Sequence, residues 1–390
     1  MHFQKFQADT IFNGYQFLSS NKVLITDDKG MVQAIVDEQD AGDDILKIKG
    51  IISPGFINCH CHLELSHMKG LIPEKTGLVD FVFAVVTQRH FAEEEIVSAI
   101  EKTEKEMMSN GIVAVGDICN NLLSIPQKKQ ANLAYYNFIE VSGWLPDIAE
   151  QRMSKSREYF EKFADLSPSS MVPHAPYSVS EKLWKVLKPH YNNKVVSIHN
   201  QETSFEDDLF LHRTGDFIRM YEMMKLDTSF YQPSGKSSLQ TYFHHLNQAG
   251  HIILVHNTFT RQGDIDFMKK IDRFGDTSFC ICINANLYIE DHVPPIDLFR
   301  ENKCRIVLGT DSLASNHSLS LLDEMKTIQH HFPHIPLQEM LQWATINGAE
   351  ALQMSNRFGS FEKGKVPGIV QIENMENNRI SNLTIIKRLL

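Results

Sequence analysis

Ser53-Pro54-Gly55-Phe56-Ile57-Asn58-Cys59-His60-Cys61-His62 carries an apolar run straight into two histidines spaced two residues apart. In an extended chain alternate side chains share a face, so His60 and His62 point together while Cys59 and Cys61 point away. Two imidazoles on one face can share a borderline cation such as zinc. Alone, the pattern is weak, but it recurs downstream. Lys194-Val195-Val196-Ser197-Ile198 runs into His199, with Glu202 three residues further on. Ile252-Ile253-Leu254-Val255 runs into His256, and Ile306-Val307-Leu308-Gly309-Thr310 into Asp311 and Ser312. Taken singly, a strand-end histidine is more often a hydrogen-bonded structural residue, Asp311 a helix cap and Glu202 a solvated carboxylate. Taken together, metal-ligating side chains that each close an apolar strand are the arrangement of a barrel with its chemistry at one mouth.

Working outward, strand-like runs recur at Gly55–Asn58, Ile112–Gly116, Ala134–Val141, Met171–Pro173, Val195–His199, Ile252–His256, Phe279–Ile283 and Arg305–Gly309. Helix-like segments such as Glu93–Ser109, Ser180–Leu187 and Leu337–Leu352 fall between them. Repeated strand–helix alternation predicts an α/β fold, here a (β/α)8 TIM barrel over residues 53–356. The ends differ. Phe17–Thr26 and Met31–Val36 flank an Asp27-Asp28-Lys29-Gly30 turn, and Ile369–Ile372 and Leu383–Ile386 follow a Gly364-Lys365-Val366-Pro367-Gly368 turn. They predict a small β-sandwich domain built from both chain ends, residues 1–52 plus 357–390.

With 390 residues, 42% of them hydrophobic, the chain can bury a large core. A formal charge of −10 argues against a nucleic-acid partner, because phosphate binding needs concentrated Lys and Arg. No run approaches the roughly 20 apolar residues that span a bilayer, so no membrane partner is expected. Met1–Thr10 lacks the basic-then-apolar pattern of a signal peptide. The six cysteines (Cys59, Cys61, Cys119, Cys280, Cys282, Cys304) show no framework spacing. A cytoplasmic protein with reduced thiols is the expectation.

The stretches PGFINCHCHLELS, HAPYS, IHNQE, LVHNT, LGTDSLASN and FGSFEKGKVPG, in that order, resemble the amidohydrolase superfamily. The likeness is to its branch of chlorohydrolases and aminohydrolases acting on triazines, adenosine derivatives and guanine. The resemblance implies His60, His62, His199 and Asp311 as metal ligands, Glu202 as proton shuttle, and His256 as the residue orienting the attacking oxygen or leaving group. It implies His174 as a substrate contact. Two-metal members bridge their ions with a modified Lys ending the fourth strand; Asn132-Leu133-Ala134-Tyr135-Tyr136-Asn137-Phe138-Ile139-Glu140 ends without one. One divalent ion is therefore expected, Zn2+ first and Fe2+ as the alternative. Family habit adds a homodimer.

A Glu that can protonate a ring nitrogen favours hydrolytic deamination of a purine-like heterocycle, and the resemblance through LVHNT and NANLYIE implies 6-amino-6-deoxyfutalosine among the candidate substrates. Dechlorination, cyclic-amide opening and a catalytically silent binding protein are the alternatives. Glu64 and His67, just after the first histidines, are expected at the small-molecule substrate. Arg89 reads as a scaffold ion pair, with an anion grip as the second reading. The long segment Ser204–Ser238, carrying Phe205, Phe210, Phe217, Phe230 and Tyr231, is expected to form an aromatic wall.

Overall fold

The computed structural model describes residues 3–376 and 379–390. Met1, His2, Asn377 and Asn378, which the sequence assigns to the terminal β-domain, lie outside the described residues.

Both chain ends meet in one mixed seven-stranded sheet. It contains β1 (Phe3–Phe12), β2 (Phe17–Leu18), β3 (Lys22–Asp27), β4 (Val32–Asp37) and β5 (Leu46–Pro54). The far end of the chain adds two strands, Ile369–Glu373 and Ile385–Arg388, the first pairing antiparallel with β5. Phe6, Ile11, Leu24, Ile52, Phe361 and Ile369 give this sheet an apolar cluster of its own. Two of its strands, β1 and β5, escape the sequence reading. The β-prone run Phe17–Thr26 is also split, because Ser19–Asn21 turns the chain between β2 and β3.

Between the ends lie eight strands in two parallel sheets of four. The first holds β6 (Phe56–Cys61), β7 (Ile112–Cys119), β8 (Ala134–Val141) and β9 (Ser169–Pro173). The second holds β10 (Val195–Asn200), β11 (His251–His256), β12 (Thr277–Ile281) and β13 (Arg305–Leu308). Every residue of β6, β7, β10, β11 and β12 is buried, as expected of parallel strands covered on both faces. The sheets approach each other along two seams. At one, Ser170 Oγ donates to Val195 O at 2.7 Å, and the His199 amide to His174 O at 3.0 Å. At the other, Cys61 and Asp311 form a parallel bridge, and the amides of Thr310 and Asp311 donate to His60 O.

Two expected elements change form. Phe279–Ile283 is a strand only to Ile281, and a helix begins at Ile283. Leu337–Leu352 is two helices, Leu337–Ala344 and Ile346–Ala351, broken where Thr345 takes φ −127° and ψ −94°. The Thr345 hydroxyl donates to Leu341 O, and beyond the bend Asn347 Nδ2 donates to Ile306 O on β13. Docking the second helix under the strands overrides the continuous helical pattern. Among the described residues no helix is long and apolar enough to cross a membrane, and all six cysteines are free.

A buried ion pair ties the first sheet to the loop that follows His62. Lys128 Nζ lies 2.6 Å from Asp117 Oδ2, with side-chain exposures of 2% and 0%. Asp117 Oδ1 accepts the Leu63 amide at 2.9 Å. Removing one partner strands the other's charge. Lys128→Met is therefore expected to lose about 3–5 kcal/mol in urea unfolding, and a loss below about 1 kcal/mol would show the pair to be dispensable.

Candidate metal centre

The strand ends converge as the alternation of β6 requires. His60 Nε2 and His62 Nε2 are 3.2 Å apart, and Asp311 Oδ1 lies 3.4 Å from the first and 3.3 Å from the second. His60, His199, His256 and Asp311 each offer one ligand atom, all within 4.8 Å of one another. All five residues are buried. Metal–nitrogen bonds of roughly 2.0–2.1 Å at tetrahedral angles place ligand atoms about 3.3 Å apart. The spacing of His60, His62 and Asp311 therefore fits a cation of that size. Burial disfavours the charged imidazoles, pushing His62 to about 3, His199 well below its usual value, and His256 down. Their lone pairs are available at neutral pH. Burial alone would raise Asp311, but the hydrogen bond with His60 and the nearby His62 and His256 hold its carboxyl well below the usual range.

Supporting contacts fix each ring and carboxylate. His199 Nδ1 donates to His174 O at 2.8 Å, leaving Nε2 for the cluster. His256 Nδ1 donates to Asn286 Oδ1 at 2.8 Å, and Ser315 Oγ donates to Asp311 Oδ2. Asn286 and Ser315 are unassigned from sequence, although Ser315 lies within the stretch LGTDSLASN. Asp311 and His256 sit in left-handed backbone (φ 57° and 72°), a conformation uncommon for residues other than glycine. Gly309 permits the close approach of β13 to β6, because a Cβ there would lie 2.9 Å from His60 Cβ and 2.7 Å from Cys280 Sγ.

Glu202 is 5% exposed, with Oε1 3.6 Å from His256 Nε2. Burial, Asp311 and Glu290 push its carboxyl well above the ordinary range. It faces a cavity of about 380 Å³ that also receives His62, His174, His199, His256 and Asp311. His174 Nδ1 contacts Ser178 Oγ at 2.8 Å, and Ser178 in turn donates to Ala175 O. The remaining ring nitrogen, Nε2, is then an acceptor.

Glu64 and His67 do not line this cavity. The Glu64 carboxylate accepts the amides of Asn120 and Asn121 at 2.8 and 3.0 Å, and His67 Nε2 contacts Arg89 O at 3.1 Å. Both brace the wall from behind, in place of the substrate contact expected from sequence. Arg89 follows the apolar helix Leu78–Gln88 and lines the cavity together with Arg152. Among the described residues neither guanidinium has an ion pair, so the scaffold reading of Arg89 gives way. Ser204–Ser238 carries two short helices, Glu206–His212 and Phe217–Met223, and a third begins at its last residue. Phe217 stacks on Tyr177 at 4.0 Å, and it is Met220, Tyr221, Met224 and Leu226 of this segment that line the cavity, not the five aromatics named from sequence. Ala134–Val141 is the third parallel strand, not the fourth; the fourth, Ser169–Pro173, leads into His174, and neither ends in Lys.

The Helicobacter pylori adenosine deaminase is 25% identical to this chain over 370 residues, covering 90% of the chain and 88% of the relative. A solved structure of Helicobacter pylori aminofutalosine deaminase with methylthio-coformycin superposes with TM-score 0.79 at 21% identity, covering 96% of this chain and 93% of that one. A zinc-bound adenosine deaminase from Xanthomonas campestris gives TM-score 0.74 at 18% identity, covering 95% and 84%. The two superpositions are likenesses of fold. The amidohydrolase family pattern matches residues 51–387, from within β5 into the last strand, and the chain belongs to that family.

Proposed function

We propose that the chain is a metal-dependent aminohydrolase that removes the amino group of a purine nucleoside as ammonia. The observation that carries this reading is Glu202, a buried carboxyl with a raised pKa, beside His256 and facing the same cavity as the His/Asp cluster. In the architecture we infer, the two parallel sheets close along their seams into a (β/α)8 barrel over residues 53–356. Residues 1–52 and 357–390 make the small β-sandwich domain. His60, His62, His199 and Asp311 hold one divalent ion, Zn2+ before Fe2+, since nitrogen-rich tetrahedral sites suit zinc.

When bound, such an ion lowers the pKa of water to about 7, so that hydroxide is available at neutral pH. Asp311, fixed by Ser315, takes the proton that the attacking water gives up. Glu202, its carboxyl pushed well above the ordinary range by burial, donates its proton to the ring nitrogen beside the amine-bearing carbon. His256, held by Asn286, hydrogen-bonds the new oxygen. The proton on Asp311 then passes to the departing amine, and as ammonia leaves, the remaining hydroxyl proton of the new oxygen returns to Glu202, so that the product is the neutral oxo ring. This sequence separates deamination from its alternatives. An amide carbonyl can be polarised by the cation alone, whereas an aromatic amidine must be protonated on the ring before nitrogen leaves.

The outer cavity narrows the substrate further. Leu78, Phe81, Val82 and Trp144 make an apolar arm, and Arg89 and Arg152 add two cations without ion-pair partners. A nucleoside with an apolar extension ending in an acid suits that lining. 6-Amino-6-deoxyfutalosine, whose extension is an aromatic acid, has this form, and we infer it as the substrate.

Three outcomes follow from the site. Glu202→Gln with a full complement of metal is expected to lose about 10²–10⁴ in kcat; near-normal turnover would remove Glu202 from the chemistry. Stripping the ion with a chelator abolishes ammonia release and added Zn2+ restores it, whereas full activity in metal-free protein contradicts the site. Arg89→Gln together with Arg152→Gln should cut the preference for an acid-bearing nucleoside over adenosine in kcat/KM about tenfold or more. An unchanged preference excludes the arginines from substrate selection.

A further inference from the structure

One carboxylate facing the cavity has no part in the deamination steps. Glu140, near the end of β8, is 6% exposed at its side chain and lines the cavity. Its Oε2 accepts Asn120 Nδ2 at 2.9 Å, and Asn120 is held by Glu64 through its backbone amide. Its Oε1 is buried and has no hydrogen-bond partner among the described residues. His199 Nδ1 is 3.6 Å away, but that ring proton is directed at His174 O, 2.8 Å distant. A buried carboxylate oxygen without a donor is costly to leave so. A ligand that brings a donor would relieve it.

A second cation is the other reading, since Glu140, His174 and His199 bring one ligand atom each within 4.8 Å. The proton assignments oppose it. His199 Nδ1 is occupied by the His174 carbonyl and His174 Nδ1 by Ser178 Oγ, so the cluster has only Glu140 Oε1 and His174 Nε2 open. A hydrogen-bond donor needs no more than the single oxygen.

The donors of an adenine nucleoside are few: the exocyclic amine and the sugar hydroxyls. The amine belongs at the His/Asp cluster. Glu140 approaches the Nδ1 edge of His199, which faces away from that cluster, whereas Glu202 stands beside His256. We propose that Glu140 Oε1 accepts a hydrogen bond from a sugar hydroxyl of the substrate and is the residue that selects ribosides. The inference rests on the nucleoside reading above and adds the part of the substrate that Glu140 reads.

The test compares adenosine with 2′,3′-dideoxyadenosine in the zinc-loaded full chain, by kcat/KM and by calorimetric binding. The wild-type protein is expected to favour adenosine by about fivefold to hundredfold, the cost of leaving a buried acceptor unpaired. Glu140→Ala brings that ratio to within about threefold of one, and Glu140→Gln, which keeps an acceptor without its charge, falls between. Zinc stays at one equivalent in both variants. A wild-type protein that does not discriminate overturns the proposal, as does a ratio that survives in Glu140→Ala. An equal loss on both nucleosides marks a positioning role through His199 instead, and zinc below one equivalent marks a ligand; either outcome overturns it. Should the wild-type protein bind both nucleosides but deaminate neither, adenosine fails as a substrate while the binding ratio still decides the role of Glu140.

Discussion

Lone pairs from His60, His62 and Asp311 held 3.2–3.4 Å apart repel one another until a positive charge sits among them. Much of the molecule serves to hold them there. The period-two alternation of β6 aims both imidazoles to one side, and Gly309 lets β13 come close enough for Asp311 to meet them. The left-handed backbone of Asp311 aligns its carboxylate, and Ser315 holds the second oxygen. The strain and desolvation stored here are of the kind folded chains keep at functional sites. The continuous apolar strands around the cluster supply the offsetting burial.

The sequence made the parallel strands legible because they are buried on both faces and read as unbroken apolar runs ending in a polar residue. Ala134–Val141 was readable to its exact limits even though Asn137 and Glu140 interrupt its apolar run. β1 and β5 were not. Phe3–Phe12 mixes exposed and buried positions without strict alternation, and Leu46–Pro54 begins in exposed Leu46 and Lys47 before turning apolar. Their pairing across the sheet stabilises them more than their own composition does. The break at Thr345 was likewise invisible, because it depends on what the following helix docks against.

The site shows the same division. Ligand-type residues announce themselves by chemistry and by their place at strand ends. Residues that act through others do not: Asn286 on His256, Ser315 on Asp311 and the His174 carbonyl on His199 are common polar groups whose meaning lies only in their neighbours. Glu64 misled for the opposite reason. A carboxylate two residues past His62 looks like a substrate contact, yet it is 2% exposed and spends its acceptor on the turn at Asn120.

That turn links the parts of the cavity. Glu64 holds Asn120, Asn120 holds Glu140, and Glu140 abuts the His199 edge turned away from the cation cluster. On the proposed reading, chemistry and selection share the same strand ends and use different edges of the His199 ring. His199 presents Nε2 to the cluster, and its Nδ1 side borders Glu140 and the His174 carbonyl. Beyond them the apolar helix Leu78–Gln88 carries Arg89 on an element that supplies none of the ligands. Changes in that helix can alter which molecule enters without disturbing the distances on which water activation depends. A shared fold can therefore host many substrates when part of the outer lining sits on elements that carry none of the ligands.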